Sequence, residues 1–317
     1  MFKKLDFFIL CLIGTLILSA FIPRGFVLDW HRRIELLCNV GISLIFFFYG
    51  LKLNKAEIRR GLSNYKLHIL VQLCTFLLFP LLAFALRPLF AQLGLSDFWI
   101  GFLFLAALPS TVSSSVVMVS MARGNIPAAI FNASISGLIG VIITPFWMNI
   151  NSGGGDFWST FFHLCLSILL PVVLGFLLNK RWGNWASKHK KTLSNFDKSI
   201  ILLIVFNSFS EAFSSGLFAQ FSWKSIALVG FFVVLMLALV YVLIRGISHA
   251  LHFPVEDEIT ACFCGSKKSL VHGSVMVQTI FKGAPSQAIV LLPIMIYHSV
   301  QLVIISFIAQ RYAGRES

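Results

Sequence analysis

The chain has 317 residues, of which 58% are hydrophobic and only 12% are charged, and its net charge is +13. Soluble domains carry about 25% charged residues, so the composition excludes an ordinary soluble protein and indicates an integral membrane protein. In a soluble protein the positive charge would suggest nucleic-acid binding. Here the basic residues fall mostly between hydrophobic segments. They are therefore interpreted as topology signals, and no nucleic-acid partner is expected.

Ten hydrophobic segments approach the roughly 20 apolar residues that a helix needs to cross a bilayer. They predict an all-α membrane protein with one transmembrane domain, residues 1–317, surrounded by the lipid bilayer. The eighth and tenth segments are plainly apolar, whereas polar and basic residues interrupt the ninth. The predicted spans cover residues about 5–22, 34–51, 67–87, 98–121, 126–148, 157–178, 196–219, 224–248, 257–281 and 286–310.

The lysines and arginines between the spans predict the orientation, because cytoplasmic loops are enriched in them. With the N-terminus placed in the cytoplasm, most of the 25 basic residues fall on the inner side, and Lys267 and Lys268 fall in the ninth span. Both termini are then predicted to be cytoplasmic. Without the ninth span, the C-terminus would lie outside. The basic residues on the outer side are Arg24, Arg32, Arg33, Arg87, Lys224 and Lys282.

The ten spans divide into two sets of five, residues about 5–148 and about 157–310. Because each set has an odd number of spans, the second set enters the membrane in the opposite orientation, which makes an inverted-topology repeat. The fourth and ninth spans then occupy equivalent places. This symmetry follows from the predicted topology, since no clear residue-by-residue repeat is present.

The fourth span contains a proline followed by a run of hydroxyl side chains. Proline removes a backbone donor and disturbs the preceding turn, and each backbone group freed in lipid needs a partner from the protein or from trapped water. Transporters place such broken helices at binding sites in mid-membrane. The predicted substrate-binding or ion-coupling residues here are Pro109, Ser110, Thr111, Ser113, Ser114 and Ser115.

The fifth span carries a second set of small and polar residues. Asn132, Ser136 and Gly140 share one helical face by their spacing of four, and this face is predicted to complete the cavity. The alternative is that small residues only let helices pack closely. That alternative is favoured for Ser134, Gly137 and Gly140.

The ninth span is interrupted by glycine and two lysines. Ionisable side chains at membrane depth are costly and are usually functional, and a buried lysine can carry a proton. The alternative is a cytoplasmic loop, residues 256–269, with solvated lysines. Equivalence with the fourth span favours a functional site. Its candidate residues are Gly265, Ser266, Lys267, Lys268, Ser269 and His272.

The polar residues of the tenth span are weaker candidates for a functional site. Neighbouring helices are expected to satisfy His298 and Gln301, and Tyr297 is interpreted as an interfacial anchor. No soluble-enzyme motif such as GxSxG or a P-loop is present. The chain is therefore not expected to be an enzyme, and neither a cofactor nor a metal is predicted.

Several stretches resemble the bile acid:sodium symporter family, and more closely its bacterial SBF-like branch. The resemblance covers nearly the whole chain. Its residues are Leu108-Pro109-Ser110-Thr111-Val112-Ser113-Ser114-Ser115, Ala122-Arg123-Gly124-Asn125, Ala128-Ala129-Ile130-Phe131-Asn132, Thr144-Pro145 and Phe263-Cys264-Gly265-Ser266-Lys267-Lys268-Ser269-Leu270.

This resemblance implies ten transmembrane helices in two inverted five-helix repeats, with spans four and nine broken and crossed. It implies a core domain from spans 3–5 and 8–10 that moves against a panel of spans 1, 2, 6 and 7. Substrates in the family are organic anions such as bile acids, steroid sulfates and pantoate-like acids. The location implied is the bacterial inner membrane.

One departure from the family pattern concerns sodium. Sodium-coupled members carry a glutamate two residues before the ninth-span glycine and a glutamine two residues after it, where this chain has Phe263 and Lys267. Bound cations need anionic or oxygen-rich ligands, so at least one sodium site should be lost. The hypothesis is that Lys267 or Lys268 stands in for the bound cation, with coupling to protons or no coupling.

The predicted function is a secondary transporter of a small organic anion that works by alternating access, either proton-coupled or uncoupled. One alternative is a sodium-coupled symporter that uses hydroxyls and carbonyls of spans four, five and nine. Another is a membrane sensor or regulator that has the same fold and transports nothing. The partners are a small organic anion, Na⁺ or H⁺, and lipid.

Overall fold

The computed structural model of the protein describes residues 7–21, 24–53, 64–151, 162, 165–214, 216, 219, 221–281 and 286–314. For residues 9, 24–32, 113, 150 and 151 the description covers the backbone only. Some basic residues of the topology prediction lie outside the described residues. They are Lys3, Lys4, Lys55, Arg59, Arg60, Lys282 and Arg315.

Every regular element in these ranges is a helix. Two π-helical turns, Cys74–Leu78 and Cys165–Leu169, lie between α3 and α4 and directly before α8. The α-helices are α1 (Phe7–Phe21), α2 (Arg24–Lys52), α3 (Tyr65–Leu73), α4 (Phe79–Gln92), α5 (Ser96–Ala107), α6 (Ser113–Met121), α7 (Ile126–Asn151), α8 (Leu170–Lys188), α9 (Lys190–Ser214), α10 (Trp223–Ala250), α11 (Val255–Gly265), α12 (Leu270–Ile280) and α13 (Gln287–Ala313).

Six helical segments within the described residues are long and apolar enough to cross a membrane. Large apolar side chains such as Phe7, Leu177 and Val242 are exposed on helix surfaces, as expected where helices face lipid. An all-α membrane protein is therefore confirmed, whereas the ten-span inverted repeat stays a prediction. The six segments are Arg33–Lys52, Tyr65–Gln92, Ile126–Asn149, Cys165–Lys188, Trp223–Ala250 and Gln287–Ala313.

The predicted fourth and ninth spans are each interrupted. Helix α5 ends at Ala107 and α6 begins at Ser113, which leaves residues 108–112 as the first break. Helix α11 ends at Gly265 and α12 begins at Leu270, which leaves residues 266–269 as the second break. The four half-helices have 12, 9, 11 and 11 residues, each shorter than the roughly 20 residues of a full span.

The chain divides into two compact units, and the first comprises Met1–Leu53, Trp158–Trp223 and Ser274–Leu291. Within it α2 packs closely against α8 at Gly50 and Gly175. A Cβ atom at Gly50 would collide with the carbonyl oxygen of Val172, and one at Gly175 with that of Phe47. Glycine therefore lets the two backbones touch, as in other membrane helix pairs.

The second unit comprises Asn54–Phe157, Lys224–Gly273 and Leu292–Ser317, and it contains both breaks. Buried acids at the start of α11 tie it to its neighbours. The carboxylate of Asp257 accepts hydrogen bonds from Asn64 and Asn125, and Glu258 forms an ion pair with Arg245. These contacts hold the first half of the ninth span in place.

Candidate functional site

The two breaks are hydrogen-bonded to each other. The hydroxyl of Ser110 donates to the carbonyl oxygen of Cys264 at 2.6 Å, and the backbone N–H of Ser269 donates to that of Pro109 at 2.9 Å. Backbone groups freed in one span are thus satisfied by the other. The two interrupted spans therefore form one polar site inside the second unit.

The first break leaves several carbonyl oxygens without their usual helical donors, because α5 ends at Ala107, just before Pro109. The oxygen of Ala107 accepts from the Thr144 hydroxyl at 2.8 Å. The oxygens on either side, of Ala106 and Leu108, accept from the Lys268 ammonium at 2.6 and 2.8 Å. Two acceptors of the first break therefore meet one lysine of the second.

A third acceptor comes from the π-helical turn between α3 and α4. The N–H of Phe79 donates to the oxygen of Cys74, five residues earlier, so it does not reach Thr75. The next residue, Pro80, has no N–H to donate. The oxygen of Thr75 therefore lacks a helical donor and accepts from the ammonium of Lys268 at 2.7 Å.

These three backbone oxygens, of Thr75, Ala106 and Leu108, form a carbonyl cage. An ammonium group has three N–H donors, and the cage supplies an acceptor for each. The Lys268 nitrogen also lies 4.0 Å from the centre of the Phe79 ring, a cation–π contact. Lys268 is fully buried, so the cage and the ring take the place of water around its ammonium.

Side chains of α13 hold the backbone of the second break. Gln301 accepts from the N–H of Lys268 at 2.9 Å and donates to its carbonyl at 2.8 Å. The hydroxyl of Tyr297 donates to the oxygen of Ser266. Tyr297 is fully buried, so its interpretation as an interfacial anchor is wrong. A carbonyl freed by the break needs this hydroxyl inside the protein.

Lys267 differs from its neighbour. Its side chain is also fully buried, but its ammonium has no hydrogen-bond partner within the described part of the chain. The alternative of a solvated cytoplasmic loop over residues 256–269 is wrong. Both lysines and the preceding residues of α11 from Asp257 onward are buried.

The hydroxyls of Thr111, Ser114 and Ser115, in and directly after the first break, bond mainly among themselves. The oxygen of Thr111 lies 2.7 Å from that of Ser114 and 2.9 Å from that of Ser115. Ser115 also reaches the carbonyl of Phe263 at 3.4 Å, on the other broken span. The side chain of Ser113 lies outside the described part of the structure.

The fifth span contributes unequally to the site. The hydroxyl of Ser136 accepts from the N–H of Ser110 at 3.0 Å, so it joins the first break as expected. Asn132 is buried, but its side-chain oxygen accepts instead from Gln72 at 3.2 Å. Asn132 therefore belongs to a neighbouring hydrogen-bonded pair.

Gly140 packs against the first break. A Cβ atom at this position would lie 2.8 Å from Cγ of Pro109, which is closer than side chains tolerate. The close-packing alternative therefore accounts for Gly140. At Gly140, α7 therefore lies directly against the Pro109 ring.

The remaining predicted residues lie within or beside the second break. Ser266 donates to the carbonyl of Cys262 at 2.6 Å. The hydroxyl of Ser269 lies 2.9 Å from Nδ1 of His272, and it accepts from the backbone N–H of the same histidine at 3.3 Å. Gly265 is the last residue of α11. These hydroxyls therefore stabilise the ends of the two half-helices.

Sequence reasoning missed the contribution of the third span. The signal was present, because a proline within an apolar span removes donors from the preceding turn. Pro80 frees the oxygen of Thr75 for Lys268, and it frees the oxygen of Phe76, which accepts from the Trp147 ring nitrogen at 2.8 Å. An inspection of every intramembrane proline would have indicated this segment.

The carbonyl cage surrounds a positive charge with oxygen atoms from three separate chain segments. Backbone carbonyls of unwound membrane helices are ligands that transporters use for sodium. No cluster of three or more His, Cys, Asp or Glu side chains that could hold a metal ion occurs within the described ranges. The geometry is that of a buried ammonium enclosed by three backbone oxygens and one aromatic ring.

The fold and site define a multi-pass α-helical membrane protein with two broken helices joined at a polar centre, an arrangement found in secondary transporters. A family model described as the SBF-like CPA transporter family (DUF4137) matches residues 6–314. The chain therefore belongs to this family of transporters, and it is not an enzyme.

Relatives support the same assignment. The chain is 39% identical to the Pseudomonas aeruginosa protein PA2026, over 98% of this chain and 93% of the relative. It is 37% identical to YfeH of Escherichia coli K12, whose name proposes a symporter, over 98% of this chain and 94% of the relative. It is 25% identical to sodium/bile acid cotransporter 7 of Xenopus tropicalis, over 84% of this chain and 79% of that protein.

Proposed function

We propose that the protein is a secondary transporter that moves a small organic anion across the bacterial inner membrane without a sodium ion at the carbonyl cage. The contacts of Lys268 support this proposal most strongly. Its ammonium donates to the three oxygens of the cage at 2.6–2.8 Å. A sodium ion at the same place would compete with the lysine for the same oxygens.

The covalent attachment of the Lys268 ammonium to the chain matters for energy coupling. A symported ion binds from one side and leaves on the other, and its gradient drives the substrate. The Lys268 ammonium carries the charge of such an ion but is covalently attached to the second break. It therefore supports the structure as a bound cation would, and it cannot transfer the energy of a sodium gradient. With the carbonyl cage filled, we propose that transport by this chain is coupled to protons or uncoupled.

The basic residues of the second break and the family both support an organic anion as the substrate. Both buried basic groups of the second break are cationic when protonated, and no acid of the described residues forms an ion pair with them. A relative is named as a bile acid cotransporter, and bile acids are organic anions. An anionic substrate would supply the missing negative charge.

The proposed movement is alternating access between a core of spans 3–5 and 8–10 and a panel of spans 1, 2, 6 and 7. The two compact units support this division, since both broken spans fall largely in the second unit. Residues 274–291 cluster with the first unit instead. Ten spans in two inverted repeats, with both termini in the cytoplasm, complete the proposal.

A cation-exchange experiment tests the proposal. The purified protein is heated in detergent that contains sodium, potassium or choline chloride at matched ionic strength. A ligand at a hundredfold excess over its dissociation constant stabilises a folded protein by about 2.7 kcal/mol. We expect equal melting temperatures in the three salts. A rise specific to sodium would contradict the proposal and favour the sodium-coupled symporter.

Transport is then measured in proteoliposomes. Radiolabelled taurocholate and pantoate represent bulky and small organic anions, and choline replaces sodium throughout. We expect uptake of at least one of them without sodium. Uptake that requires sodium would contradict sodium independence. An absence of uptake under sodium and pH gradients alike would favour the sensor or regulator.

A further inference from the structure

Lys267 and Lys268 form a natural comparison, since they have the same chemistry and the same complete burial. The ammonium of Lys268 has three acceptors. The ammonium of Lys267 has none within the described residues. A buried charge without partners is strongly disfavoured, and such a group gives up its charge instead. Lysine does so readily when buried.

The groups around the second break that the structure describes offer no negative charge to Lys267. Within the described part of the chain, the titratable side chain with an electrostatic effect on Lys267 is the thiol of Cys264, near the end of α11. Other titratable groups nearby have other contacts. These are Cys74 beside Lys268, Tyr297 on the Ser266 carbonyl, His272 beside Ser269, and Glu258 with Arg245.

From this geometry we infer that Lys267 is the residue that binds the anionic group of the substrate, and that it takes up one proton when the anion binds. This inference rests on the proposed function. The reactants are the neutral amine of Lys267, one proton from solution and one carboxylate or sulfonate anion. The product is an ammonium–anion ion pair, so the loaded site gains no net charge.

The two lysines thus have different roles. Lys268 stays in the carbonyl cage throughout, in the place of a cation. Lys267 changes its charge with the substrate, which couples the entry of one anion to the entry of one proton. Because a buried ammonium is stable only with its counter-ion, proton and anion bind together. A proton gradient then drives transport.

The first test needs no substrate. Lys267→Met and Lys268→Met remove the same amine from neighbouring, equally buried positions, and their melting temperatures are compared in sodium-free buffer. We expect Lys267→Met to lie within about 2 °C of the wild type and Lys268→Met to melt many degrees lower. If the melting temperature of Lys267→Met falls as far as that of Lys268→Met, Lys267 is already paired and the inference is overturned.

The second test measures uptake of taurocholate and pantoate into sodium-free proteoliposomes, with the external medium more acidic than the interior. We expect the pH gradient to drive accumulation by the wild type and not by Lys267→Met. If Lys267→Met keeps the accumulation driven by the pH gradient, this inference is overturned but the proposed function is not. If the wild type takes up neither anion, the proposed function fails, while the melting temperatures still decide whether Lys267 is paired.

Discussion

The two breaks solve the same physical problem in opposite ways. The first break is rich in acceptors, because Pro109 stops the helix and leaves carbonyl oxygens free. The second break is rich in donors, since the Lys268 ammonium and the Ser269 N–H both point back to the first half of the chain. Polar backbone groups in lipid must be satisfied within the protein. Here each break satisfies the other.

Under the proposed function, this complementarity makes the centre of the second unit independent of an added ion. In a site built only from acceptors, a dissociable cation would have to neutralise the converging oxygens. A lysine supplies both the charge and the three donors, and its stem keeps it there. The acceptor-rich first break and the donor-rich second break should therefore depend on each other for their stability.

Loss of the Lys268 amine should have the largest effect. Lys268→Met leaves three buried carbonyl oxygens without a donor, and each unsatisfied buried carbonyl costs about 1–3 kcal/mol. Thermal unfolding in detergent measures the change. Lys267→Met is the matched control, with an expected cost below about 1 kcal/mol. Equal costs at the two positions would remove the distinction between them.

A methyl group at Gly140 should disturb the acceptor-rich break alone. In Gly140→Ala the new Cβ would lie 2.8 Å from the Pro109 ring, and overpacking of this kind costs about 1–3 kcal/mol. The control is Gly230→Ala in α10, where nothing lies within 4 Å of the added atom. Melting temperatures of the two variants check the difference. An equally stable Gly140→Ala would show that Pro109 moves freely.

The hydroxyl of Tyr297 should matter for the donor-rich break. Tyr297→Phe removes the donor to the buried oxygen of Ser266, and an unsatisfied buried carbonyl costs about 1–3 kcal/mol. Tyr65→Phe is the control, since Tyr65 is 63% exposed and its change should stay within about 0.5 kcal/mol. No difference between the two variants would mean that another donor, such as water, replaces the hydroxyl.

The smallest predicted effect is a coupling between Pro80 and Lys268. Pro80→Ala restores a backbone N–H, which lets the π-helical turn return to α-helical bonds and gives the oxygen of Thr75 a helical donor. Lys268→Met should then cost about 1 kcal/mol less in the Pro80→Ala background, as measured by a double-mutant cycle. Strict additivity would show that the turn does not depend on proline.

The sequence predicted the breaks well because their signals are local. Pro109 with its hydroxyl run, and a glycine beside paired lysines, identify interrupted helices without any tertiary information. The partners of those groups were not predictable in the same way. Which lysine meets which carbonyl depends on how α3, α5 and α11 pack, and two adjacent lysines look alike in a sequence.

Tyr297 and Asn132 show where pattern reasoning fails. A tyrosine within an apolar span suits both the membrane interface and a buried carbonyl, and only packing decides between them. Asn132 lies on the same helical face as Ser136, yet it bonds to Gln72 on the third span. Helical spacing predicts the face, whereas the neighbouring helix determines the partner.

The most direct test of the central claim is chemical rescue of Lys268→Ala. This change should leave the carbonyl cage empty, so a small cation can take the place of the lost ammonium. The melting temperature of the variant is measured in methylammonium, sodium and choline chloride at matched ionic strength, with the wild type and Lys267→Ala as controls. We expect methylammonium or sodium, but not choline, to stabilise Lys268→Ala and neither control. Identical melting temperatures for Lys268→Ala in all three salts would contradict the claim that Lys268 occupies a cation site.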